Sequence, residues 1–239
     1  MNDYLERFSR TDLLFGSNAS SALAGKRVLI VGVGGVGGHA AENIIRAGVG
    51  SADLLDGDTV DISNCNRQII ALNSTIGHPK ARILAARCRE INPYGTFNAI
   101  DSFLKTPADI TALLQNHYDF VVDAIDDVPV KVELIKQLKS AGIPFVSAMG
   151  AGGKTDPSQV KLADLSKTCG CPLARVMRNK LKSAGIVKGI LTVYSPELPR
   201  RTFADKKIGS ISYMPAIFGC FCAAAAIEYL LKANSLSDR

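Results

Sequence analysis

The stretch RVLIVGVGGVGG, residues 27–38, constrains this chain more than any other. An apolar run suited to a strand covered on both faces leads into a turn containing Gly32, Gly34, Gly35 and Gly37, and an amphipathic helical pattern follows over 36–47. Glycines let the backbone turn sharply and approach a phosphate, while the first turn of the helix supplies positive potential. Asp56 ends the next strand pattern, nineteen residues beyond Gly37, where a carboxylate can hydrogen-bond a ribose hydroxyl. A nicotinamide cofactor and ATP are served equally well by these features.

Strand patterns recur at RVLIVG, SADLLD, FNAID, DFVVDAI and PFVSAMG, and helical patterns fill 36–47, 79–91, 108–116 and 130–140, the last stopped by Gly142. The alternation predicts an α/β fold: a Rossmann-like, doubly wound, mostly parallel sheet with right-handed crossovers. A length of 239 residues fits one domain over 1–239, with a nucleotide-binding core at 1–150 and a C-terminal elaboration at 151–239. In the elaboration VKLADL and GILTVYS read as strands flanking a basic helix at CPLARVMRNKLK, and SPELPRRTFADKKIGS reads as a mobile loop. The apolar run at 214–227 is shorter than the ~20 residues a membrane span needs and is interrupted by Glu228, which favours a core or dimer-interface helix.

Charge is unevenly spread. Residues 166–207 hold ten Lys or Arg against two acidic residues, net +8, which leaves 18 basic against 20 acidic residues elsewhere. A basic segment on a near-neutral body suits a phosphate-backbone ligand, although a solvated basic face has the same composition. The first residues, MNDYLERFSR, lack the apolar run of a secretory signal, so a cytoplasmic protein with reduced thiols at Cys65, Cys88, Cys169, Cys171, Cys220 and Cys222 is expected. The two C-x-C pairs are a weaker zinc signal than C-x2-C, whose extra residue turns both sulfurs toward one tetrahedral centre.

The choice between cofactors rests on polar groups that a triphosphate needs and an oxidoreductase does not. Asn64 and Arg67 in SNCNRQ follow Asp56 and Asp58 at a distance that brings them over phosphates, and Lys80 in GHPKA opens a helix as a compact cation. Asp126 in VVDAIDD lies just past a strand end, where a carboxylate can hold Mg2+ while phosphates and water complete the octahedron. Each has a plainer role: Asn64 in a turn, Lys80 in helix solvation, Asp126 as a helix cap.

RFSR, VGVGGVGG, LLDGDTVDISNCNRQ, GHPKA and VVDAIDD together resemble the ubiquitin-activating-type adenylyltransferases, which include the activators of the molybdopterin and thiamin sulfur-carrier proteins. The resemblance implies adenylation of a carboxylate by Mg-ATP. It assigns Asp56 to the ribose, Asn64, Arg67 and Lys80 to the triphosphate, Asp126 to magnesium and Gly34 to close approach. Arg10 becomes an arginine finger reaching a neighbouring subunit, which implies a homodimer. GAGGKTDPSQVKLADLSKT, PLARVMRNKLK and PELPRR extend the match to the tRNA threonylcarbamoyladenosine dehydratase family, in which the carboxylate belongs to a modified nucleoside of a tRNA anticodon loop.

On that reading Arg175, Arg178, Lys182, Arg200 and Arg201 are candidate backbone contacts, and Tyr194 or Tyr213 would stack on a base if not structural. Where relatives carry an acidic residue before the PL of the basic helix, this chain has Cys171. Some relatives work with a sulfurtransferase system, a candidate partner here too. Three other readings compete: adenylation of a sulfur carrier's C-terminal glycine, against which the missing C-x2-C pairs count; a nicotinamide oxidoreductase; and an inactive nucleotide-binding scaffold on RNA.

Overall fold

The computed structural model describes residues 3–200 and 208–235, so Arg201 and the centre of the loop expected at 195–210 lie outside the described residues. Seven strands form one sheet: β1 (Arg27–Val31), β2 (Ser51–Leu55), β3 (Thr96–Ile100), β4 (Phe120–Asp123), β5 (Phe145–Ala148), β6 (Lys161–Asp164) and β7 (Leu191–Tyr194). Their order is β3-β2-β1-β4-β5-β7-β6, parallel throughout except for β6, which pairs antiparallel with β7. The chain builds outward from β1 in one direction, then returns to start β4 on its other side. The β1/β4 boundary is therefore the switch point at which such sheets bind ligands beyond the strand carboxyl ends.

Nine helices are found among the described residues: α1 (Asp3–Arg7), α2 (Ser9–Phe15), α3 (Ala19–Ala24), α4 (Gly35–Arg46), α5 (Lys80–Ile91), α6 (Pro107–Leu114), α7 (Val128–Ala141), α8 (Pro172–Ser183) and α9 (Tyr213–Ser235). Val28 and Ile30 face a core shared with α4, α5 and α9, whereas Leu29 and Val31 face a second core shared with α6, α7 and α8. That strict alternation, buried on both sides, is why the strand sequences read as continuous apolar runs. Within the 195–210 stretch, the described residues are tethered. Glu197 accepts from the Thr155 and Asp156 amides, and the Arg200 amide donates to the Gly153 carbonyl at 2.7 Å.

Helix α9 is long and apolar enough to cross a membrane by length and composition. It instead lies on α4 and the sheet with Met214, Phe218, Cys222 and Ala226 wholly enclosed, which marks a core helix. Burial pushes the thiols of Cys222 on this helix and Cys88 on α5 up to about 12. Helices α1 to α3 have no counterpart among the sequence patterns, because elements of five to seven residues are too short to show a helical period. Phe8 and Leu23 bury them against the body, and the Tyr4 hydroxyl spans the carbonyls of Ser20 and Gly48 at 2.9 Å each.

The turn after β1 separates structural glycines from a permissive one. Gly32 has φ +85, and a Cβ on Gly37 would sit 1.8 Å from the Gly32 carbonyl oxygen. A Cβ on Gly34 would meet only the Gln68 side chain at 3.6 Å, an ordinary contact. Beneath the turn, Lys131 and Asp123 form an ion pair of 2.9 Å with both side chains wholly buried. Ser147 donates to the other Asp123 oxygen at 2.6 Å, and Lys131 also donates to the Ile125 carbonyl at 3.0 Å.

Gly37→Ala is expected to cost more than ~3 kcal/mol, because backbone must move. Gly34→Ala should leave the melting temperature near the parent's while abolishing nucleotide binding; thermal melts paired with calorimetry separate the two cases, and equal melting losses would contradict this division of roles. Lys131→Met, which strands a buried carboxylate, should lower stability by ~3–5 kcal/mol in denaturant unfolding.

Candidate active site

Val31 is in register with Leu55 and Asp123, and Asp123 with Ser147, so the segments leaving β1, β2, β4 and β5 emerge along one edge. Gly32 touches the β4 exit directly: a Cβ there would lie 2.9 Å from the Ala124 carbonyl oxygen. Asp56 is half-buried, with one oxygen accepting the Val33 amide at 2.8 Å and the other the Asp58 amide at 2.9 Å. Each carboxylate oxygen retains a second lone pair. The contacts fix its carboxylate against the glycine turn while leaving acceptor capacity for a hydroxyl.

Asp58 pairs with Lys80 at 2.8 Å, and the two differ in exposure, 56% for the carboxylate and 8% for the ammonium. Lys80 is thus a shielded cation rather than a solvated helix residue. Asn64 is buried in a turn, its Oδ1 accepting the Asp61 amide at 3.1 Å, so its turn role is real; its Nδ2 has no acceptor among the described residues. Arg67 donates from Nη1 to the Ser63 carbonyl at 2.8 Å and to Asn66 Oδ1 at 2.9 Å, and the rest of the guanidinium fork has no acceptor among the described residues. Its carbonyl lies against Gly35, the first residue of α4.

Asp126 is exposed and makes no hydrogen bond or ion pair among the described residues. The cap of α7 is its neighbour Asp127, which accepts the Val130 amide at 3.0 Å. Asp126 is therefore not a cap, and it follows directly on Ala124 and Ile125, which adjoin Gly32 of the glycine turn. No group of three or more His, Cys, Asp or Glu stands close enough to hold a metal among the described residues. A magnesium ion held by one carboxylate and completed by phosphates and water needs no such group.

Arg10 does not reach this site. It lies on α2 two residues after Phe8, which packs on Gly48 just before β2 begins, and hence at the amino edge of the sheet. Its side chain is exposed with no partner among the described residues, beside Leu13 and Leu14, which are 79% and 75% exposed.

Helix α8 starts at the carboxyl edge, where Cys171 and Leu173 adjoin Gly150, and leads back toward the amino edge where β7 begins. Arg175 and Lys182 are exposed on it, as is Arg200 beside Gly153. Arg178 is half-buried and bound to the carbonyl and hydroxyl of Thr168, so part of its fork braces the preceding loop. Tyr194 is buried and unavailable for stacking; Tyr213 is 41% exposed, with its hydroxyl on the Thr155 carbonyl at 3.0 Å.

Cys171, in place of the acid expected from resemblance, is buried next to Lys154. Burial holds that ammonium below the ordinary lysine range, and its contacts are the Ser195 carbonyl at 2.9 Å and the Phe218 ring at 5.7 Å.

Three features escaped sequence reasoning. Phe103, in the loop after β3, lies across Gly57, the residue following Asp56, with 55% exposure. Residues 208–215 cross the carboxyl edge, where the Gly153 amide meets the Gly209 carbonyl and Asn66 meets the Ser210 carbonyl at 3.0 Å. Gln68, adjacent to Arg67, lies against Gly34. Only Gln68 carried a signal, as the last residue of the SNCNRQ motif; Phe103 and the 208–215 crossing carried none. Two cavities of about 320 and 260 Å3 lie elsewhere, one around Phe145 and Tyr229 and one between Arg178 and Ile190. Neither touches the glycine turn.

The ThiF family model matches residues 8–239. The tRNA threonylcarbamoyladenosine dehydratase of Bacillus subtilis is 37% identical over 244 residues, covering 95% of this chain and 96% of that protein. The crystal structure of the Escherichia coli tRNA N6-threonylcarbamoyladenosine dehydratase in complex with ATP matches with a TM-score of 0.92 at 34% identity, covering 98% of each chain. The E. coli molybdopterin-synthase adenylyltransferase is also 37% identical, but over 143 residues, 59% of this chain and 57% of that protein. With a nucleotide crevice of this build and relatives that match it from end to end, the chain belongs to the ThiF family, within its branch of tRNA threonylcarbamoyladenosine dehydratases.

Proposed function

We propose that this protein dehydrates N6-threonylcarbamoyladenosine in tRNA by adenylating its carboxylate with ATP. The carrying observation is the assembly at the switch point of a permissive glycine, a shielded lysine, an underused arginine and an uncommitted carboxylate. Full-length similarity to the dehydratases supports the substrate, whereas similarity to the sulfur-carrier activator stops short of the elaboration.

A free carboxylate cannot be displaced by its neighbouring carbamoyl group in water, because an oxide would have to leave. Attack of that carboxylate on the α-phosphorus expels pyrophosphate, and Arg67 and Lys80 neutralise the departing charge. Magnesium, held at Asp126 with the phosphates, would supply further neutralisation. The carbamoyl group then closes on the activated carbon of its own side chain, AMP carries off the former carboxylate oxygen, and one proton is lost. The net change is loss of one water. Both reacting groups belong to one side chain, so no enzyme nucleophile is required.

Arg10, remote from the site of its own chain, acts in a partner's site within a homodimer, with the exposed leucines of α2 in the interface. Arg175, Lys182 and Arg200, with Arg201 and the free part of Arg178, contact the tRNA backbone. Asp56 and Asp58 frame the ribose, with Phe103 beside it for the adenine. The setting is the cytoplasm, and a sulfurtransferase-system protein is a partner suggested by resemblance alone. Residues 1–150 serve as the ATP-binding core and 151–239 as the tRNA-binding part of one domain.

Incubation with Mg-ATP and tRNA bearing threonylcarbamoyladenosine, followed by mild digestion and mass spectrometry, should reveal a nucleoside lighter by one water. Arg67→Ala and Asp126→Ala should each slow its formation by at least roughly a hundredfold; unaltered rates would remove these residues from the mechanism. The slope of log affinity against log salt for tRNA should be shallower by about one unit in Arg175→Ala. An unchanged slope would exclude a phosphate contact there.

A further inference from the structure

Three buried side-chain polar atoms lack a hydrogen-bond partner among the described residues: Arg27 Nε, Gln68 Oε1 and Ser210 Oγ. Arg27 lies at the amino edge, where another guanidinium nitrogen pairs with Asp53 at 2.7 Å. The other two adjoin the carboxyl edge. Ser210 is tied to Asn66 through its carbonyl, and Gln68 is 8% exposed with its carboxamide against Gly34. A buried carbonyl without a donor costs about 1–3 kcal/mol, so one retained beside a binding turn calls for an explanation outside the fold.

The chemistry of the orphan narrows what fits. Gln68 Oε1 is an acceptor, and ATP phosphates offer no donor; in the assignment above the ribose hydroxyls face Asp56 and the adenine, with its amino group, lies on the Phe103 side. The carboxylate to be adenylated is different, because its α-carbon carries a ureido N–H. A primary carboxamide matches that pair, donating from Nε2 to a carboxylate oxygen and accepting the N–H at Oε1. The terminal torsion of glutamine is broad, so the carboxamide can turn to present both groups at small cost.

We propose that Gln68 recognises the substrate's α-ureido carboxylate at Gly34 and the start of α4, and so positions that carboxylate for attack. The ligand class is an N-acylated α-amino acid, a definition that includes the C-terminal residue of a peptide. This inference rests on the dehydratase reading.

The test uses the full chain and tRNA bearing threonylcarbamoyladenosine, with wild type, Gln68→Leu and the isosteric Gln68→Glu. Both variants should bind ATP within about twofold of wild type while kcat/KM for the tRNA falls at least roughly tenfold. The loss should be greater in Gln68→Glu, where a carboxylate meets a carboxylate. An RNA stem-loop methylated at the ureido nitrogen next to the α-carbon should be a poor substrate for wild type and should cost Gln68→Leu little more, since the two changes remove one contact.

Retention of kcat/KM within about twofold in Gln68→Leu would overturn the proposal. So would a parallel loss of ATP affinity, which would make Gln68 a nucleotide contact, or independent multiplication of the two losses. Dehydration by wild type with an indifferent Gln68 leaves the functional reading standing; no dehydration by wild type removes both.

Discussion

The carboxyl edge depends on an ion pair that never meets solvent. Asp123 is the last residue of β4, at the switch point, and Lys131 reaches it from α7. Through Ser147 and the Ile125 carbonyl the pair ties together β4, β5, α7 and the turn that carries Asp126. A buried pair is a poor source of net stability, since desolvation offsets most of its attraction. Its geometric effect is more telling. With both charges satisfied internally, the exit of β4 is braced from two sides, and Asp126 follows it with no partner among the described residues.

Much of this was legible in the sequence because the central strands are covered on both faces and therefore read as unbroken apolar runs. RVLIVG and DFVVDAI could hardly have been anything else. The glycine turn was legible for the same local reason, although the sequence could not say which glycines serve the fold. Gly37 is dictated by the neighbouring carbonyl, while Gly34 is not. What could not be read were contacts made across long chain separations by residues without a distinctive pattern. Nothing around Lys131 distinguishes it from the solvated lysines of an ordinary helix. The crossing at 208–215 brings Ser210 to Asn66 over a separation of 144 residues.

Site residues separated along similar lines. The candidate residues Asp56, Asp58, Asn64, Arg67, Lys80 and Asp126 lie within motifs that follow strands ending at one edge, so a correct sheet order places them along that edge. The basic segment is another matter, because composition counts charges without regard to where they point. Arg178 is partly committed to Thr168, and Lys182 lies a helix length away from Cys171, the residue nearest the crevice. Cys171, which in sequence leaves a reactive thiol, a metal ligand and a plain small residue all open, is a buried neighbour of Lys154 in space.

The position of Arg10 bears on how such a protein would behave as its concentration changes. In the proposed dimer, a finger held at the amino edge of its own sheet would not bend to its own nucleotide, and each chain would carry a component useful only to another copy. Catalytic competence would then be a property of the assembly, lost on dilution while every helix and strand stays folded. Spectroscopy that follows secondary structure would register nothing, and the specific activity per chain would fall as the pairs come apart.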